Sequence, residues 1–118
     1  MQLYGIRIFV DDLAAARPFY ADILGLPIIW EFEGTAIGYD AGAQIIVEGV
    51  PLDAEAEDRI LVGRFVGCSL KTVDIEATYS DLTAKGVEFT GPPDKQAWGG
   101  TLAHFKDPSG NVLTLLGE

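Results

Sequence analysis

The residues of this chain whose chemistry could do work are few and widely spaced. His104 is the only histidine, the side chain that changes charge near neutral pH without tuning, and so the readiest general base. Arg7 interrupts an apolar run, where a guanidinium could pair with Glu48 or hold the carboxylate or phosphate of a ligand. Ser69, Lys71, Gln44 and Thr114 are polar residues set into strand-like segments. Trp30 and Trp98 could fill a core, sit at a chain interface, or wall a site for a flat or cationic molecule. Cys68 has no disulfide partner and lies in a strand pattern, which favours a buried inert thiol over a nucleophile. Asp107 reads as structural, its carboxylate bonding the amides of its own turn. Gly99-Gly100 precedes no helix and is not a phosphate-binding loop.

The elements that must position these residues come in two copies. Residues 4–15 and 66–77 align at an offset of 62, with Gly5 on Gly67, Asp12 on Asp74, Leu13 on Ile75 and Ala15 on Ala77. Each copy reads as strand, acidic residue, helix, and each leaves an apolar face that the other copy or a second chain must cover. In the first, residues 3–10 form a strand. Asp12 caps a helix through Leu24, with Leu13, Ala16, Tyr20 and Ile23 on one face and Gly25 at its stop. Residues 28–32, 36–39 and 44–47 form three short strands. Residues 49–59, with Pro51 and a cluster of acids, read as a surface loop. In the second copy, residues 61–72 form a strand, and Asp74 caps a helix to Lys85 with Ile75, Tyr79 and Leu82 on one face and Gly86 at its stop. Strands follow at 87–90, 98–106 and 112–116, with a loop at 91–95 and a turn at 107–111. The fold class is α+β, two βαβββ modules (residues 1–48 and 61–118) joined by a connector at 49–60 in a single domain.

Strand alternation sorts the side chains. Ile6, Ile8 and Val10, then Ile45 and Val47, Cys68 and Leu70, and Leu113 and Leu115 pack toward the helices. Arg7, Gln44, Glu48, Ser69, Lys71 and Thr114 face the other way, forming a mixed face that two curved sheets could enclose as a cleft. His104 depends on register: a five-residue turn at 107–111 pairs Lys106 with Val112 and sets His104 opposite Thr114 on the mixed face, whereas a four-residue turn aims it at the second helix.

Bulk properties narrow the function classes. At 118 residues and 48% hydrophobic, the chain can fold as one domain without disulfides or metal. Eighteen acids against eight Lys and Arg give a net charge of −10, which argues against nucleic-acid partners and anionic membranes and suits a cationic ligand. The first residues enter strand-like sequence with no signal segment, so a cytoplasmic location is expected.

In this arrangement the chain resembles the vicinal oxygen chelate superfamily of glyoxalase I, extradiol dioxygenases, methylmalonyl-CoA epimerase, and the fosfomycin- and bleomycin-resistance proteins. The landmarks are Val10-Asp11-Asp12-Leu13, Phe19-Tyr20, Leu24-Gly25-Leu26, Lys85-Gly86-Val87, and Phe105-Lys106-Asp107-Pro108-Ser109-Gly110-Asn111. The resemblance implies paired modules around a cleft, His104 within that cleft, Trp30 and Trp98 near its rim, and a homodimer whose clefts draw on both chains. The family's metal enzymes hold a divalent ion with two His and two carboxylates, a set suited to first-row divalents. Carried across, those positions are Gly5, Gly67, a residue near Ile46, and Thr114. None is a strong ligand, and Glu48, two residues beyond Ile46 on the same face, would be alone. The resemblance therefore implies no metal centre and no cofactor. It points to a protein that binds a small organic molecule through Arg7, Trp30, Glu48, Ser69, Trp98, His104 and Thr114. The alternative is a metal-independent isomerase or lyase with His104 as base, and Arg7 and Thr114 orienting the substrate.

Overall fold

The structure, a computed structural model, describes residues 1–118. The first module runs β1 (Gly5–Val10), α1 (Leu13–Pro18, continued by a π-helical turn Phe19–Ile23), β2 (Ile28–Phe32), β3 (Ala36–Ala41) and β4 (Ala43–Gly49). Its sheet has the order β1-β4-β3-β2, with β1 parallel to β4. The second module runs β5 (Phe65–Lys71), α3 (Ile75–Ala84), β6 (Glu88–Phe89), β7 (Asp94–Lys95), β8 (Thr101–Lys106) and β9 (Val112–Gly117). Its sheet repeats the pattern as β5-β9-β8-β6, with β7 added to β8.

The repeat extends to the helix caps. Asp12 Oδ1 accepts from Ala15 N at 3.0 Å, and Asp74 Oδ1 from Ala77 N at 3.1 Å. Each acid thereby satisfies an amide that the first helical turn cannot. Four details differ from the sequence reading. Pro18 has no N–H for the α ladder, and the chain behind it widens so that Leu24 N donates to Phe19 O at 2.9 Å. The connector contains a single helical turn, α2 (Ala56–Arg59), with Glu57 and Asp58 in its first turn. Residues 94–95, expected in a loop, pair with the edge of β8. The long strands expected at 61–72 and 98–106 begin only at Phe65 and Thr101. The positive φ of Gly63 (79°) and of Gly99 (105°) breaks the extended backbone just before each start, and Gly67 (75°) sits in a register shift within β5.

The helix-facing sides of both sheets merge into one core of sixteen buried residues, from Ile8, Val10 and Tyr39 in the first module to Phe105, Leu113 and Leu115 in the second. Phe19 stacks at 6.3 Å from Phe105 across the module boundary. A polar staple lies beside this contact. Tyr20 donates its hydroxyl to Asp107 Oδ2 at 2.7 Å, while Asp107 Oδ1 accepts from the amides of Ser109 and Asn111 at 2.9 Å. Asn111, 1% exposed, donates Nδ2 to Phe9 O at 2.7 Å and accepts from the Gly63 and Arg64 amides. Asp107 is thus structural, as expected, and its partners reach the other module. No helix is long and apolar enough to cross a membrane.

Candidate functional site

Pairing register fixes which residues share the outward face of the first sheet. Arg7 lies opposite Ile46, Ile46 opposite Gly38, and Gly38 opposite Trp30, so one row crosses all four strands. Phe9 and Glu48 form the row on one side of it, and Gly5 and Gln44 the row on the other. Arg7 and Glu48 do pair: Nε donates to Glu48 Oε2 and Nη2 to Oε1 at 3.0 Å, and the guanidinium lies 5.2 Å from the Phe9 ring centroid. The hydrogen bond and charge of Glu48 raise the Arg7 pKa above its ordinary value. The pair is well solvated on its Arg7 side, 63% exposed, so it adds little to stability. Trp30 lies across β3 rather than out at a rim. A Cβ on Gly38 would sit 2.3 Å from Trp30 Nε1, so only glycine leaves room for the indole. The ring thereby reaches β4, where Nε1 donates to Gln44 Oε1 at 2.7 Å.

On the second sheet the equivalent row is Ser69, Thr114 and His104. The turn has the five-residue register: Lys106 pairs with Val112 and His104 with Thr114. His104 Nδ1 and Thr114 Oγ1 lie 2.8 Å apart, and the Phe65 ring meets His104 edge-on at 5.8 Å. Ser69 is exposed beside them, and Lys71 pairs with Glu118 instead of with a site residue. Trp98 stands apart. It lies in the loop before β8, 66% exposed, with its ring over Gly100. Burial pushes the Cys68 thiol above its ordinary pKa, the opposite of nucleophile activation.

Within one chain, Arg7 and His104 line separate cavities. Arg7 and Glu48 line a cavity of about 250 Å³ beneath the connector, with Phe9, Pro51 and Asp58. His104 lines another of about 350 Å³ with Thr90, Asp94 and Gln96. Neither includes a residue from the other sheet's face.

The donor set does not fit the family's metal ion. No three His, Cys, Asp or Glu side chains converge anywhere in the chain. The backbone is also unsuited at both histidine positions. A Cβ at Gly5 would lie 2.7 Å from the Gln44 carbonyl oxygen, and Gly67 holds a φ of 75° within a register shift of β5.

The binding residues expected from the sequence left out Gln44, Gly38, Phe9 and Phe65, which the structure sets against Trp30, Arg7 and His104. Gln44 was on the mixed face by alternation, but its bond to Trp30 depends on the β2–β3 and β3–β4 registers together.

The chain belongs to the Glyoxalase/Bleomycin resistance protein/Dioxygenase superfamily, whose family model matches residues 3–115. YraH, an uncharacterized protein of Bacillus subtilis strain 168, is 34% identical over 98% of this chain and 97% of its own length. A superfamily member from Sphaerobacter thermophilus DSM 20745 superposes with a TM-score of 0.82 at 31% identity, over 100% of this chain and 98% of that one. TnmS3, an antibiotic binding protein from Streptomyces sp. CB03234, shares the fold with a TM-score of 0.77 at 24% identity, over 99% and 95% of the two chains.

Proposed function

We propose that this protein binds a small organic molecule on its outward sheet faces without a metal ion, in the manner of a sequestering protein. The observation that carries the reading is the composition of those faces. Aromatic and aliphatic surface (Phe9, Trp30, Ile46, Phe65) is interrupted by a few polar groups already held in place by neighbours (Arg7 by Glu48, Gln44 by Trp30, His104 by Thr114). Apolar walls with a few fixed polar groups are the usual make-up of a small-molecule site. The antibiotic-binding role of TnmS3 is compatible with this reading, and the net charge of −10 favours cationic or neutral ligands.

The same faces support a homodimer, because each is open in a single chain and carries exposed aromatics, Phe32 at 68% and Phe65 at 64%. A second copy would supply the wall that the chain itself does not. Light scattering should then give twice the 12.7 kDa chain mass.

A thermal-shift panel of divalent metals, EDTA, cationic antibiotics, glutathione adducts and small anionic metabolites tests the proposal. A ligand at 100 times its Kd adds about 2.7 kcal/mol. A shift with one organic class and none with metals supports it. A metal-dependent shift reversed by EDTA, or no shift with any organic class, defeats it.

One observation favours a second reading. Thr114 holds His104 by Nδ1 and leaves Nε2 without a protein partner, the arrangement a base needs to meet a substrate proton. An isomerase or lyase acting on a small oxygenated compound would follow. If a turnover is found, His104→Ala should abolish it, and unchanged turnover removes this reading.

A further inference from the structure

We infer that Gln44 is the polar anchor of the first sheet's face, and that with Trp30 it selects a flat, uncharged ring carrying a carbonyl oxygen. This deepens the proposed binding role and rests on it.

The orientation of the Gln44 amide follows from chemistry alone. An indole N–H only donates, so the group it meets at 2.7 Å must be the amide oxygen. The Nε2 amino group is therefore turned away from Trp30. It forms no hydrogen bond within the chain, and it is not among the buried polar atoms lacking a partner, where Tyr39 Oη stands alone. Nε2 thus presents two N–H donors to solvent beside an aromatic ring. Both neighbours of this unit are glycines required by geometry. Gly38 admits the indole, and Gly5 allows β1 to lie against Gln44, where a Cβ would fall 2.9 Å from the Gln44 Cβ. Trp30 is locked in place by Gly38 and Gln44, so its ring offers a preorganised stacking surface.

The chemistry of the occupant follows. Donors without an acceptor call for a ligand acceptor, and an adjacent indole calls for a π-face. Arg7, in the neighbouring row of this face, is already bound in two-pronged fashion by Glu48, and the chain carries a net charge of −10. A neutral carbonyl oxygen therefore suits the site better than a carboxylate.

Equilibrium dialysis with 9-fluorenone and fluorene tests this, since the two probes share a planar tricyclic outline and differ in the carbonyl. The wild-type protein should bind the ketone about tenfold more tightly, the value of one hydrogen bond of about 1.4 kcal/mol. Gln44→Glu keeps the shape and the indole acceptor but removes both donors, and it should abolish the preference, bringing the affinity for the ketone down to that for fluorene. Trp30→Phe keeps a ring but frees the amide, and it should weaken both probes and narrow their ratio. An unchanged ketone preference in Gln44→Glu overturns the role of Gln44. Failure of the wild-type protein to bind fluorenone overturns the ligand class. The general binding role falls separately, on the outcomes of the thermal-shift panel above.

Discussion

Replacing Tyr20 with Phe removes one atom from the junction between the modules. Tyr20 is fully buried, and its hydroxyl gives Asp107 Oδ2 one of its two hydrogen bonds, the other coming from Asn111 Nδ2 at 3.0 Å. Asp107 is itself only 5% exposed, so water cannot readily take the place of the phenol. A hydrogen bond to a charged group contributes about 1.5–3 kcal/mol net, and phenylalanine refills nearly all the volume. The expected loss is therefore about 2 kcal/mol, or about 8 °C in Tm for a domain of this size. Urea denaturation at pH 7 followed by circular dichroism should show a lower midpoint at unchanged slope. A loss below about 0.5 kcal/mol would refute the reasoning, and would mean that apolar contacts such as Phe19–Phe105 hold the modules together without the staple.

Alkaline pH tests the same residue from another side. Burial, then the charge and hydrogen bond of Asp107, raise the Tyr20 pKa far above normal, and burial pushes Tyr39 up to about 12. Both stay neutral in the folded chain while the unfolded chain ionises near about 10, so their contribution is whole below that pH and is lost as pH rises. Stability should fall from about pH 10 upward, and less steeply in Tyr20→Phe; equal slopes in urea melts would count against this assignment. Gly38→Ala should lift the indole from β3, cost about 1–3 kcal/mol by overpacking, and red-shift Trp30 emission in a Trp98→Phe background. Gly5→His together with Gly67→His should destabilise the fold without creating nickel or zinc affinity, as measured by calorimetry, because the backbone rejects both side chains.

Much of the fold was legible because it depends on local signals. Asp12 and Asp74 announced two helix starts, Gly25 and Gly86 two stops, and residues 107–111 marked the last hairpin turn while leaving its register open. What was not legible depends on contacts distant in sequence. Pro18 lies within the segment read as one helix to Leu24, and the π-turn that follows it buries Phe19 and Tyr20. Gly67 and Gly5 hold equivalent places in the repeat, yet only Gly67 has a positive φ and lies in a register shift, against β9. Among site residues, alternation left the Arg7–Glu48 pair as one of two alternatives and the facing of His104 dependent on turn length, and the pairing register decides both. The Trp30–Gln44 bond could not be read, since it crosses a strand whose only contribution is a missing side chain.

The distribution of contacts between the modules has a consequence for how the chain could be cut. The connector from Val50 to Arg64 is mostly exposed and holds little of the core, whereas Tyr20, Phe19 and Phe9 reach across to Asp107, Phe105 and Asn111. The covalent link is therefore the weaker of the two joints. A gene split within residues 52–58 would yield two polypeptides that recognise each other through the staple and shared core, a self-assembling pair whose reunion could report on proximity in a cell.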